Sequence, residues 1–330
     1  MVHPGPPGDA GPSSLDWALL GDTGLEPDPA VALHTLLSTP HSSEPDPAKR
    51  QRSHWGCIVF QANEHLDGGS IWAWDQYPLP PLGTITKAQL YQNQHSNAAL
   101  HSLITAMVRV YSKIAHAAAE DRMSVKPEVQ WEKYSLTGNS VFLGGPTHDR
   151  PLIPAKARRP VWEVHTAADV RRIVNASDSQ PGAQLAPLTG DSKTSLFAYG
   201  AHVHRLVRDV PRTLYTSLGY AGWDDIPDGR VIGTRYGATF IKTHQHSPHD
   251  AAGVWITHGR IPKKAGSPLE AKVPMEKAIR DGGHGTATEG VQTWKQASFE
   301  EAQEGVWQEV WVKTEVVEGG LAQCVYWDFQ

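Results

Sequence analysis

Cysteine is scarce in this chain of 330 residues: there are two, Cys57 and Cys324, each in an apolar, strand-like setting. Two such residues argue against a disulfide framework or a zinc site, and their usage fits a reducing cytoplasm. Long apolar runs are missing as well. No stretch of about 18 apolar residues occurs, which argues against a helical membrane span and a membrane partner. The opening residues lack the basic segment and apolar core of a signal peptide. Positive charge is in short supply: 30 Lys and Arg stand against 35 Asp and Glu, a formal net charge of −5. That balance speaks against nucleic acid held by phosphate contacts.

What is present is core-forming material. Hydrophobic residues make up 39% and there are 12 Trp, so a packed interior is expected, in two ordinary domains with room for a fragment of a third. The 30 Gly and 25 Pro imply many loops. Ser14 to Leu20 reads as a short helix, with Ser13 and Ser14 as start signals. Residues 39–53 are polar and Pro-rich without periodicity, a solvated insertion. Gly56 to Phe60 reads as a strand buried on both faces, and Ile71 to Trp74 as a second strand. Thr86 and Gln89 form a capping-box pattern at the head of a helix running to about Glu120. Its apolar stripe is Leu103, Ile104, Met107, Val108, Tyr111, Ile114 and Ala115.

A second helix is expected over Trp162 to Asn175. From Ser195 the texture changes to short apolar segments between turns, around Leu196, Val231, Ala238 and Val254, which suggests a small antiparallel β-barrel. Lys263 to Thr293 reads as a Gly- and charge-rich linker, and Trp307 to Gln330 as a β-hairpin.

The sharpest chemical constellation is His3 with Asp67. A histidine on a Gly/Pro loop can move protons near neutral pH, and a carboxylate can orient it and stabilise its charged form. Gly5, Gly8 and Gly11, and Gly68 and Gly69, let a ligand approach the backbone. The bland alternative stays open on pattern alone: a solvated terminal histidine and an Asp that merely makes a turn.

His3-Pro4 and the run Leu66-Asp67-Gly68-Gly69-Ser70-Ile71 resemble the hallmark of the formyltransferase family that uses 10-formyltetrahydrofolate, and the Trp55-Gly56 entry also fits. His3 to Leu19 is similar, more narrowly, to the HoxX-type hydrogenase-maturation branch. So are Thr86 to Tyr91, Val170 to Ile173 with Asp178 to Gly182, Tyr199 to His202, and Gly253 to His258. The resemblance implies that His3 is the catalytic histidine and Asp67 its acidic partner. It also implies that Gly5, Gly11, Pro12, Ser13, Gly68, Gly69 and Ile71 shape the pocket. The donor it implies is 10-formyltetrahydrofolate, a small-molecule substrate, and the acceptor coenzyme A. Oligomeric state is left open.

Three departures accompany the resemblance. Met1 stands where general members carry an Asn, two residues before the histidine. The distance from His3 to Asp67 is stretched, mostly by the 39–53 insertion. The nucleotide-fold strands that usually precede the His loop are absent from this sequence.

The implied architecture is α/β. A partial, Rossmann-like formyltransferase catalytic domain is expected over 1–155. A helical linker and an OB-like β-barrel of the family's C-terminal type follow over 156–265, then a linker over 266–306. The opening hairpin of a crotonase-like domain is expected over 307–330, so that the chain is truncated at both ends relative to the family. Two other readings remain: an enzyme resembling methionyl-tRNA formyltransferase, and an inactive homologue acting as a binding module.

Other polar groups are read as structural. His244, His246 and His249 lie in a polar loop without an acidic or Cys ligand in pattern, so no metal is assigned. One of His202 and His204 is expected to be solvated and the other packed. Lys49, Arg50 and Arg52 are expected to be a solvated basic run.

Overall fold

A computed structural model describes residues 1–38, 51–64, 69–126, 142–179, 182–189, 196–204, 207–247, 250–262, 271–283 and 285–294. The expected 307–330 hairpin, Cys324, residues 39–50 of the insertion, and Leu66, Asp67, Gly68 and His249 lie outside the described residues.

Two sheets organise the molecule. In the first, β1 (Val2–His3), β2 (His54–Phe60) and β3 (Ile71–Pro78) lie in the order β1-β2-β3, every pair antiparallel. A Rossmann-like sheet is parallel, and these three strands depart from that expectation. The reason is connectivity: ten residues separate β2 from β3, enough for a hairpin and too few for the helical crossover that parallel neighbours need. β2 is buried from Trp55 to Phe60, as its continuous apolar run requires.

Helix α1 (Ser14–Leu20) follows the loop after β1 and is buried along its whole length. It stops at Gly21, whose φ of 112° lets its N–H turn back to the carbonyls of Trp17 and Ala18. Helix α2 (Pro29–Ser38), not anticipated from sequence, begins with Pro at its first position, and Asp28 Oδ1 accepts from Ala30 N at 2.8 Å.

The long helix starts where expected. Thr86 and Gln89 close a reciprocal capping box on α3 (Lys87–Leu90). A π-helical turn, Tyr91–His95, then interrupts it before α4 (Ser96–His116). Here the structure corrects the expected core stripe. Leu103, Ile104, Met107, Val108 and Tyr111 are exposed, Met107 and Val108 by 63% each. The side chains turned to the sheet are Ala98, Ser102 and Ala106. Small residues at this four-residue spacing let the helix backbone approach β2 and β3 closely, which the bulky row would prevent.

Helix α5 (Ala167–Ala176) begins five residues later than expected, because a second capping box fixes its start at Thr166 and Asp169. The second sheet contains β4 (Ala183–Gln184), β5 (Phe197–His204), β6 (Val231–Arg235), β7 (Ala238–Lys242), β8 (Gly253–Arg260), β9 (Val273–Pro274) and β10 (Gln292–Thr293). Its order is β10-β6-β7-β8-β5-β4, with β9 added on β8. All pairs are antiparallel except β10 with β6. The β6–β7 turn is Tyr236-Gly237 with φ of 50° and 82°, the left-handed pair that matches the twist of a two-residue hairpin.

Helix α6 (Arg212–Thr216) lies between β5 and β6, and α7 (Met275–Asp281) follows β9. The stretch expected to be linker after residue 263 therefore carries ordered elements, and α7 buries Met275, Ala278 and Ile279. The physical cause is packing: these three side chains complete the main core.

That core crosses the expected boundary at residue 155. It runs from Trp17 and Leu20 through Trp55, Cys57 and Leu90 to Val170, Val174, Ala201, Ile241 and Ile256. Asn175 stitches the halves together. Its amide nitrogen donates to the carbonyls of Gly83 at 2.7 Å and Ala201 at 3.0 Å, while Ala201 N donates to Asn175 Oδ1 at 2.7 Å. A separate aromatic cluster, including Trp223, Phe240, Trp255 and Trp294, fills the other side of the second sheet.

Candidate active site

His3 ends β1, where its partner across the ladder is Ile58. The side chain is buried, 5% exposed, and its Nε2 lies 3.2 Å from Oδ2 of an equally buried Asp9. Asp9 belongs to the Gly/Pro loop and was not singled out from sequence, since an Asp six residues from a histidine carries no periodic signal. A tight turn, with Asp9 N donating to the Pro6 carbonyl at 3.1 Å, folds it back onto the imidazole. Burial raises the Asp9 pKa, and the hydrogen bond to His3, the charge of His3, Ser14 and the charge of Arg52 oppose that rise.

Gly5 makes this pairing sterically possible. A Cβ there would be driven into Asp9 Oδ2 and would sit 2.6 Å from His3 Nε2. Gly11 occupies a left-handed conformation, φ 105°, with the Arg150 carbonyl where a side chain would start. Ser13 precedes α1, but its hydroxyl does not cap the helix. It accepts from Ile153 N at 2.7 Å and donates to the Pro151 carbonyl at 3.3 Å, pinning the loop to the 151–153 segment. Pro12 is exposed. Gly69, φ 117°, sits against the Gln61 carbonyl, and Ile71 packs with Ile58 and Phe60. Asp67 and Gly68 lie outside the described residues, so the structure brings together His3 and Gly5 with Asp9 and sets Gly11 against Arg150.

A buried charge network holds the loop from behind. Arg150, 2% exposed, meets Asp22 through Nε at 2.9 Å and Nη2 at 3.3 Å. It also donates to the carbonyls of Glu26 and Pro27. Thr147 Oγ1 donates to the Pro7 carbonyl at 2.9 Å, and Arg150 N to the Ala10 carbonyl at 3.0 Å. Arg52, expected to be solvated, is buried instead. It donates to the Gly144 carbonyl at 3.2 Å and stacks over the Trp55 ring at 5.9 Å. Desolvation by burial lowers its pKa, outweighing the charges of Asp22 and Asp9, which favour its charged form. On the helix side, Asp16 receives both Lys87 and Arg158, the latter at 2.6 Å.

The histidine loop near residue 244 has an acidic neighbour that sequence did not suggest: His244 Nδ1 lies 3.1 Å from Asp228 Oδ2. Among the described residues no group of three metal-ligating side chains occurs. His204 is the packed member of its pair, set against Phe240 and Trp294, and His202 is half-buried. A small hollow near Leu36, His165 and Arg172 shares no residue with the His3 cluster. No described helix is long and apolar enough to cross a membrane.

No family model matches the chain. It is 24% identical over 183 residues to the hydrogenase maturation factor HoxX of Bradyrhizobium diazoefficiens, a match that covers 55% of this chain and 23% of that protein. The fold is similar to that of HypX from Aquifex aeolicus in complex with tetrahydrofolic acid, with a TM-score of 0.55 and 24% identity. That likeness covers 90% of this chain and 37% of HypX. This chain is thus similar to HoxX in sequence and to HypX in fold. A HypX variant matches equally, with a TM-score of 0.56 over 95% of this chain and 41% of the other. The chain thus spans less than half the length of the HoxX and HypX proteins it matches, and it shares with HypX an α/β fold.

Proposed function

We propose that this chain carries the formyl-transfer site of a HoxX/HypX-type protein, taking the formyl group of 10-formyltetrahydrofolate to coenzyme A. The observation that carries this reading is the buried His3–Asp9 pair on a glycine loop at the end of β1. HypX is known in complex with tetrahydrofolic acid, which supports a folate-derived donor. His3 takes the proton of the incoming thiol as sulfur attacks the formyl carbon. The C–N bond then breaks, and His3 returns the proton to the departing folate nitrogen, giving formyl-coenzyme A and tetrahydrofolate. Asp9 and Asp67 orient and stabilise the imidazolium. Loop positions Gly5, Gly11, Pro12, Ser13, Gly68, Gly69 and Ile71 shape the pocket.

The proposed catalytic residues all lie within 1–155, a span that shares its core with the barrel-type unit after it, and a crotonase-like hairpin is proposed over 307–330. Titration of the whole chain with 10-formyl-5,8-dideazafolate, a stable donor analogue, tests the reading. Binding that is lost in His3→Ala and Asp67→Ala supports it, and no binding at high protein concentration sinks it. Binding without transfer to coenzyme A would identify a folate-binding module.

A further inference from the structure

Beside the His3 loop stands a second buried imidazole that the formyl-transfer reading does not use. His95 is 6% exposed and closes the π-helical turn Tyr91–His95. Such a turn adds one residue to the helical circuit, and it recurs where a helix must aim a particular side chain. Here the ring is held edge-on by two tyrosines. Its centroid lies 4.9 Å from that of Tyr91 on its own helix and 5.8 Å from that of Tyr77 on β3.

The cluster adjoins the His3 loop. Tyr77 pairs across the ladder with Trp55, whose Nε1 donates to the Pro4 carbonyl at 3.0 Å, one residue beyond His3. The charge of His3 reaches His95, and the charges of Asp16 and Asp9 reach Tyr91. Lys87, paired with Asp16, lies 5.8 Å over the Tyr91 ring.

The hydrogen bonding of His95 is half complete. Nδ1 lies 3.0 Å from the Tyr77 hydroxyl. Among the described residues Nε2 has no partner, and neither has the Tyr77 hydroxyl apart from His95. The phenol has one proton to place. If Nδ1 carried hydrogen and donated to the phenol oxygen, the buried phenolic O–H would be left without an acceptor. If the phenol donates to Nδ1, its proton is satisfied and the imidazole proton moves to Nε2. Burial acts in the same direction, keeping the Tyr77 phenol protonated and the imidazole neutral.

Nε2 is not among the fully buried partnerless atoms, so its neutral N–H is open to an incoming acceptor. We propose that Nε2–H of His95, locked in that tautomer by Tyr77, donates a hydrogen bond to the formyl oxygen of the bound folate donor. The contact strengthens as that oxygen gains negative charge on nucleophilic attack. This inference rests on the formyl-transfer reading, and its test separates the two.

The affinities of 10-formyl-5,8-dideazafolate and of 5,8-dideazafolate, which lacks the formyl group, are measured on the whole chain and its variants. His95→Leu keeps the volume and removes the donor. It should weaken the formylated ligand roughly tenfold, the worth of one hydrogen bond, and leave the other within about twofold. His95→Gln restores a donor and should recover most of the preference. Equal weakening of both ligands, or no change in either, overturns the proposal. A wild-type chain that binds neither ligand defeats the formyl-transfer reading itself, a result recognisable without any variant. Nitrogen-15 NMR of labelled histidine gives a check that survives a variant's failure to fold. Nε2 should carry the proton at pH 7 in wild type, and Tyr77→Phe should release that preference. A proton on Nδ1 in the wild type overturns the proposal.

Discussion

Gly5 is the residue whose substitution bears most directly on the His3–Asp9 pair, because its missing Cβ is the space the two side chains share. Gly5→Ala must push the carboxylate off the imidazole. Misplacing a reacting group by about 1 Å costs on the order of 100-fold in rate, so the variant should lose the proposed formyl transfer by that order. A circular-dichroism melt would establish that the fold survives.

Two titrating groups of the same neighbourhood act on stability with opposite signs. Asp9 has its folded pKa raised above 3.8, so through the window above that value the folded state holds its proton more tightly than the unfolded chain. Its contribution is best below the window and declines as pH rises through it. Asp9→Asn should therefore gain in Tm relative to wild type as pH increases from 4 upward. His95 runs the other way: burial lowers its pKa from 6.5 to about 4. Stability is intact above the unfolded value and is lost as pH falls toward the folded one, by about 3 kcal/mol for a shift of this size. Urea unfolding at pH 7 and pH 4.5 should show that loss in wild type and not in His95→Leu.

His3 and Gly5 were marked in the sequence by the resemblance of the His3-Pro4 loop, since pattern alone left a solvated terminal histidine equally open. Asp9, Arg52 and His95 were not, since each acquires its role from burial against segments remote in the chain.

Among the elements, the helix from Thr86 is the clearest lesson in what periodicity can and cannot say. Its capped start was readable from Thr86 and Gln89, and its apolar row from residue spacing. Which face meets the sheet was not readable. Spacing defines a stripe, but close approach to β2 and β3 selects Ala98, Ser102 and Ala106. The two faces should respond differently to substitution. Met107→Ala, on the exposed row, should change unfolding free energy by less than about 0.5 kcal/mol. Ala106→Leu, on the packed face, should cost about 1–3 kcal/mol through overpacking. Denaturant titration of the pair checks both. The π-turn itself left no trace in the pattern, because one extra residue in a helix alters neither composition nor capping.

For the molecule as a whole, the expected division near residue 155 and the observed core differ in an instructive way. The change from helical to strand-like texture is real and follows from period. A shift in texture says nothing about whether two halves share an interior, and here Trp17, Val170 and Ile256 belong to one cluster. The described fold should accordingly unfold in a single transition seen alike by tryptophan fluorescence and far-ultraviolet dichroism. Arg150→Met offers a stringent test. It removes the guanidinium from Asp22 and leaves a carboxylate buried without its partner, at a cost of about 3–5 kcal/mol.

Asn175 carries one more consequence. Because the Ala201 amide is donated to this side chain, its protection from solvent depends on α5 and the second sheet staying docked. In hydrogen–deuterium exchange that single N–H becomes a gauge of the join: its rate tracks global opening while the seam holds, and outruns its β5 neighbours once the seam parts.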